Sequence, residues 1–248
     1  MAYDPASLDQ PFAALQAFDW GADAAAFQPI DDAVIAAHGD SAARADLERR
    51  LAALLGGGTS RAAREYVCRK LAVIGTAAAV PALAALLSDR EHSHMARFAL
   101  ERISAPEAAD ELRKAVGTLQ GDLRIGMISS LAGRGDAASV PLVAALLAGE
   151  PRTAVAAAEA LGAIRTPESA QALAAAAGVA DASAASAIAD ARLACAEAML
   201  RRGNRQEALA TYKALADAAA AKDDPTAKAF RLAATRGILA CLDAQPTS

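Results

Sequence analysis

Aromatic side chains are scarce in this chain: one Trp, three Tyr and five Phe in 248 residues. A core short of rings has to be filled by small and aliphatic side chains, and alanine supplies about three residues in ten. Alanine loses no side-chain entropy in a helix and is the best helix former. No run alternates with period two and β-branched residues are few, which excludes a sheet protein. There are three cysteines, Cys68, Cys195 and Cys241. An odd, widely spaced set gives neither a disulfide framework nor a zinc pattern. Each sits among apolar helix residues, where a free thiol behaves as a small buried hydrophobe.

Long apolar runs are missing too. No stretch reaches the ~18–20 uncharged apolar residues that span a bilayer, so no membrane span is expected. A strong basic excess is also lacking. The formal net charge is −4, and residues 1–60 carry nine acidic but three basic side chains. Basic residues gain a slight majority only in the middle of the chain, far from the stripe of phosphate contacts a nucleic-acid binder needs. No nucleic-acid partner is therefore expected. The opening MAYDPASLDQ has no basic region followed by an apolar run. The expected compartment is the cytoplasm, with the periplasm as the alternative if a leader was trimmed.

What is present is a recurring thirteen-residue string. It reads LAVIGTAAAVPAL from Leu71 to Leu83, LERISAPEAADEL from Leu100 to Leu112, LAGRGDAASVPLV from Leu131 to Val143, and LGAIRTPESAQAL from Leu161 to Leu173. The starts are spaced by 29, 31 and 30 residues. Each copy reads as a helix end, a tight turn and the next helix start. A fixed period of this length signals stacked helical hairpins. Positions one and four of the string share a face of the first helix, and positions ten and thirteen share a face of the second. Together they predict the seam inside each hairpin. Arg134 occupies position four in the third copy, where the others have Ile. Its stem is expected over the core and its charge in solvent.

In chain order, the sequence divides into an N-terminal helical cap at 1–59, four hairpins at 60–181 and C-terminal hairpins at 182–248. In the cap, Ser7 to Phe18 predicts a helix with Pro11 in its first turn and Gly21 as its stop. Phe12, Phe18, Trp20 and Phe27 are expected to pack that cap. Pro29–Ala37 and Ser41–Leu55 form a second pair, with Asp40 or Ser41 as a cap. The repeating hairpins follow at about Ser60–Ile74 and Ala79–Leu87, Ser93–Ile103 and Pro106–Val116, Asp122–Ala132 and Ala137–Leu147, and Pro151–Ile164 and Pro167–Ala177. Ser186–Arg202, Arg205–Ala221 and Ala227–Leu242 complete the series. The fold class expected is all-α, a solenoid of stacked antiparallel hairpins.

The strings Ala160–Ile164 (ALGAI), Val80–Leu87 (VPALAALL) and Val140–Leu147 (VPLVAALL) resemble the short HEAT-like repeats of the phycobilisome-lyase type. The resemblance covers residues 60–180 and implies a HEAT-like superhelix. Members of that family include scaffolds, adaptors, bilin lyase subunits and a few enzymes, so it implies no single activity. Its di-iron hydroxylase branch uses His-Glu pairs, and no His-Glu dipeptide occurs in this chain. The segment GNRQEALATYKAL, through Gly203, Ala208 and Tyr212, resembles the second half of a tetratricopeptide hairpin.

Candidate sites are few. His92 and His94, with Asp89 and Glu91, form the densest set of metal-ligating types, but spacing alone favours a solvated loop with Ser93 capping the next helix. Arg64, Arg69, Lys70, Arg97, Arg102, Arg113, Lys114 and Arg124 gather in the first three hairpins, where a ladder of cations would receive an acidic peptide or a phosphate group. Surface pairing with Glu65, Glu101, Asp110 and Glu111 is the plainer alternative. Arg134 and Arg165 join the candidate set as departures from the repeat. Cys68, between Arg64 and Arg69, is a candidate nucleophile against a buried structural thiol. No catalytic constellation and no cofactor are expected. The function these features predict is a protein-interaction scaffold, with a groove along the second helices holding a partner protein or peptide. A lyase-like or enzymatic small-ligand binder using the same groove is the alternative.

Overall fold

The computed structural model describes residues 3–178, 181–221 and 223–243. Among them the chain is all-α, with fourteen α-helices and no strand. Its class is that of an α-solenoid, helical hairpins stacking on their neighbours. The chain forms two compact units, Met1–Arg134 and Gly135–Ser248, divided inside the third copy of the recurring string.

The first unit holds α1 (Asp9–Gln16), α2 (Gln28–Ala36), α3 (Ser41–Ala53), α4 (Arg61–Ile74), α5 (Val80–Ala84), α6 (Ser93–Arg102), α7 (Pro106–Thr118) and α8 (Gly121–Gly133). The first helices of successive hairpins lie against each other, α3 on α4, α4 on α6 and α6 on α8, while α5 meets α7 in the second layer. The second unit holds α9 (Val140–Ala144), α10 (Pro151–Ile164), α11 (Pro167–Ala175), α12 (Ala182–Arg201), α13 (Arg205–Ala220) and α14 (Pro225–Asp243). There α10 packs on α12, α12 on α13, and α13 on α14.

The recurring string behaves as its pattern requires. Leu71, Leu100, Leu131 and Leu161, and opposite them Leu83, Leu112, Val143 and Leu173, are all fully buried. Pro81, Pro106, Pro141 and Pro167 each sit in the first turn of a second helix, where the missing N–H has no intrahelical acceptor to lose. Two second helices are shorter than the sequence predicts. After Ala84 the bonds tighten from i−4 to i−3, Leu86 N to Leu83 O and Leu87 N to Ala84 O, each 3.1 Å. Both leucines end buried. The third hairpin does the same, with a 3₁₀ turn over Ala145–Ala148. Short 3₁₀ runs at helix ends are ordinary, and a leucine-rich pattern does not distinguish them from one longer α-helix.

The cap departs from expectation in two places. Helix α1 ends at Gln16, well before Gly21. Phe18 and Phe27 meet edge to face at 4.8 Å, and Phe27 meets Tyr66 at 4.9 Å, but Trp20 is 66% exposed and joins neither pair. Phe12 instead lies under the Arg50 guanidinium, 4.9 Å away. Asp40 does cap α3, accepting from Ala42 N and Ala43 N at 3.0 Å each. The tetratricopeptide-like positions Ala208 and Tyr212 are buried in a cluster with Ala196 and Cys241.

Candidate functional site

The arginines of the first unit end largely on protein acceptors. The helix α6 places Arg97 against α8, where its Nη1 donates to Gly126 O at 3.0 Å and Ser130 Oγ at 3.1 Å. A Cβ on residue 126 would fall 2.7 Å from the guanidinium carbon, so glycine leaves the room this side chain occupies. Glu101 completes the tie, accepting from Ser130 Oγ at 2.7 Å. Burial lowers the Arg97 pKa, and the Glu101 charge partly opposes that shift.

Arg134 corrects the expectation of a solvated charge. Its Nη1 donates to the carbonyls of Leu100, Ile103 (2.6 Å) and Glu101 (3.2 Å), and its Nη2 to Ala105 O at 3.4 Å. Leu100, Glu101 and Ile103 carry the last acceptors of α6 and its turn, beyond the reach of intrahelical N–H groups, while Ala105 O also accepts from Ala108 N at the head of α7. A guanidinium there satisfies several at once and complements the negative end of the helix. Arg124 does a smaller version, with Nε on Leu119 O at 2.7 Å. In the second unit Arg165 closes α10 in a left-handed conformation, φ 56°, and donates from Nε to Gly162 O at 2.8 Å.

The remaining candidates are spread over the surface. Arg69 is exposed, 3.9 Å from Glu65. Arg102 lies 3.7 Å over the Phe98 ring and donates to Phe98 O. Arg113 pairs with Asp110 and Lys114 with Glu111. Lys70 meets Asp31 at 2.5 Å, beside the Tyr66 hydroxyl that also donates to Asp31. Burial first, and then that hydrogen bond, hold the Tyr66 phenol protonated well above its usual range.

The histidines are not brought together. His92 is buried: its Nδ1 donates to Asp89 Oδ2 at 2.8 Å and its Nε2 accepts from Arg64 Nη1 at 3.4 Å. Arginine only donates, which assigns the proton to Nδ1 and leaves neither ring nitrogen open. His94 is exposed near Arg97. Asp89, rather than Ser93, receives the first N–H groups of this turn, from Glu91 and His92. The His92 bond, followed by the Glu91 N–H, holds its carboxyl below the usual range. Ser93 Oγ is buried without a partner. Among the described residues no group of three or more His, Cys, Asp or Glu is placed to hold a metal. Cys68 is buried and its pKa is pushed up to about 12, because desolvation outweighs the nearby Arg69. That opposes a nucleophilic role, which needs thiolate.

Three features escaped the sequence analysis. Glu48 is a buried carboxylate that accepts from Thr76 N at 2.6 Å, Ala79 N at 3.0 Å and the Thr76 hydroxyl, tying α3 to the next turn. On the last helix, Leu232, Leu239 and Leu242 are 54%, 53% and 63% exposed. At 100° per residue they fall within one sector of α14, Leu232 and Leu239 facing away from the buried Ala234 and Cys241 and Leu242 at the sector's flank. The third is Arg192, on α12. Among the described residues it makes no hydrogen bond or ion pair, and its Nε is buried. The signal for Arg192 was its position as a lone cation inside the apolar run AIADARLACAEAML.

No family model and no curated protein sequence matches the chain. Among solved structures it is similar to an engineered protein, at 19% identity and TM-score 0.42, over 86% of this chain and 97% of that one. It is also similar to human deoxyhypusine hydroxylase solved with glycerol, at 16% identity and TM-score 0.37, over 94% and 96%. Neither likeness bears on function at these scores. No described helix is long and apolar enough to cross a membrane.

Proposed function

We propose that the protein is an interaction scaffold that binds a partner protein or peptide through exposed faces of its stacked hairpins, as the resemblance to short HEAT-like repeats suggests. The observation that carries this is the leucine stripe of α14. Single exposed apolar residues are common, but three large ones aligned on one helix are the anchors that helix-on-helix recognition uses. The α5–α7 layer of the first unit supports the same reading. Its dent between Leu87 and Glu111 is only about 180 Å³ and offers Glu111 and Lys114 rather than an enclosed chamber. A shallow surface suits a peptide with modest charge selection better than a reactant that must be shielded from water.

The test is paired affinity capture from native lysate with the wild-type chain and the Leu232→Glu/Leu239→Glu variant, read by mass spectrometry. Light scattering on both proteins separates self-association. A polypeptide retained by the wild type and lost from the variant supports the scaffold. Identical recoveries from the two baits overturn the assignment of the α14 stripe.

A further inference from the structure

In the second unit, α12, α13 and α14 enclose a cleft of about 430 Å³, within the range of small-molecule sites. Ile188, Leu215 and Phe230 give it apolar walls, and alanines keep the space between them open. Among the described residues two charged groups line it, Arg192 and Asp224. Asp224 is already engaged: its carboxylate accepts from Ala227 N at 2.8 Å and its carbonyl from Lys228 N at 3.0 Å, which caps α14. Arg192 has no such partner among the described residues, and its Nε–H is buried.

Burial lowers the pKa of Arg192, with no opposing charge named among the causes. A guanidinium nevertheless stays charged at neutral pH. A half-buried cation that makes no ion pair, its one charged neighbour among the described residues of the cleft spent on capping a helix, is unfavourable for folding alone. It becomes favourable when an anion arrives with an apolar body to fill the space. The planar fork of arginine matches a carboxylate in two parallel bonds, and the apolar walls of Ile188, Leu215 and Phe230 suit a carboxylate with an aliphatic body better than free phosphate.

We propose that this cleft is a binding site for a small amphipathic carboxylate, the carboxylate paired with the Arg192 guanidinium and the aliphatic body lying on Ile188, Leu215 and Phe230. The site uses none of Leu232, Leu239 or Leu242, so it stands or falls independently of the partner surface.

Calorimetric titration of the full chain with octanoate, octanol and inorganic phosphate tests it. Octanoate should bind at a single site about tenfold or more tighter than octanol, the worth of one charge-assisted pair. Arg192→Gln should erase that preference and leave octanol binding unchanged. Ala218→Phe, which narrows the cleft without touching Arg192, should weaken both chains, so the proposal does not depend on one variant folding. Equal affinity for octanoate and octanol, unchanged octanoate binding by Arg192→Gln, tighter binding of phosphate, or no octanoate binding at all would each overturn it.

Discussion

The two units join helices that share a repeat pattern, yet they use polar side chains differently. In the first, Glu48, Arg97, Glu101 and Arg134 reach from one hairpin to backbone or hydroxyl groups of a neighbour. In the second, α10 and α12 approach through small residues, with a Cβ on Gly162 falling 2.9 Å from the Ala191 backbone. Its half-buried Arg192 reaches no acceptor among the described residues. Charges that depart from the repeat in the first unit therefore serve the fold. Among the described residues of the second unit, Arg192 is a half-buried cation without a protein partner, which is why the ligand is proposed there.

The two units share the buried leucine seam, so truncations there set a common scale. Leu131→Ala and Leu173→Ala should each cost about 2–5 kcal/mol in denaturant unfolding, because both side chains are fully buried. A clear difference between the units should appear with added methyls. Gly162→Ala should cost about 1–3 kcal/mol, since its new Cβ meets backbone that cannot give. At Gly126 the obstacle is the flexible end of Arg97. The helix-propensity gain of roughly 1 kcal/mol offsets its displacement, so Gly126→Ala should melt near the wild type. Next in size, Glu48→Gln should cost about 1–3 kcal/mol, because the amide presents a donor to the N–H and hydroxyl groups the carboxylate now accepts from. Smallest of all, Arg69→Ala should change stability by less than about 0.5 kcal/mol, as an exposed pair at 3.9 Å contributes little.

Much of the fold was legible because periodicity and turn chemistry act locally. The leucine columns, the first-turn prolines and the Asp40 cap all follow from spacing along one or two helices. Trp20 and the short second helices were not legible: exposure of a ring and the change to i−3 bonding depend on what packs alongside. The site was less readable still. Arg134 announced itself by replacing Ile in its column, but the sequence could not say that four carbonyls at the end of α6 and in the turn after it lay within its reach. Arg192 shows in one dimension only as a lone cation in an apolar run, and the α14 leucines are ordinary there. They become informative once the helix faces are known, since a partner's absence is a property of three-dimensional surroundings.

The most direct measurement compares the thermal melts of Arg134→Met and Arg192→Met, two apolar replacements of similar length. Arg134→Met leaves the last carbonyls of α6 without their donor and should lower the melting temperature, by about 1–3 kcal/mol in stability. Arg192→Met removes a half-buried charge that has no partner and should raise the melting temperature of the ligand-free protein. Opposite signs are the predicted result. A loss of stability in both, or a gain in the first, would contradict the division between arginines that hold the fold and the one that awaits a ligand.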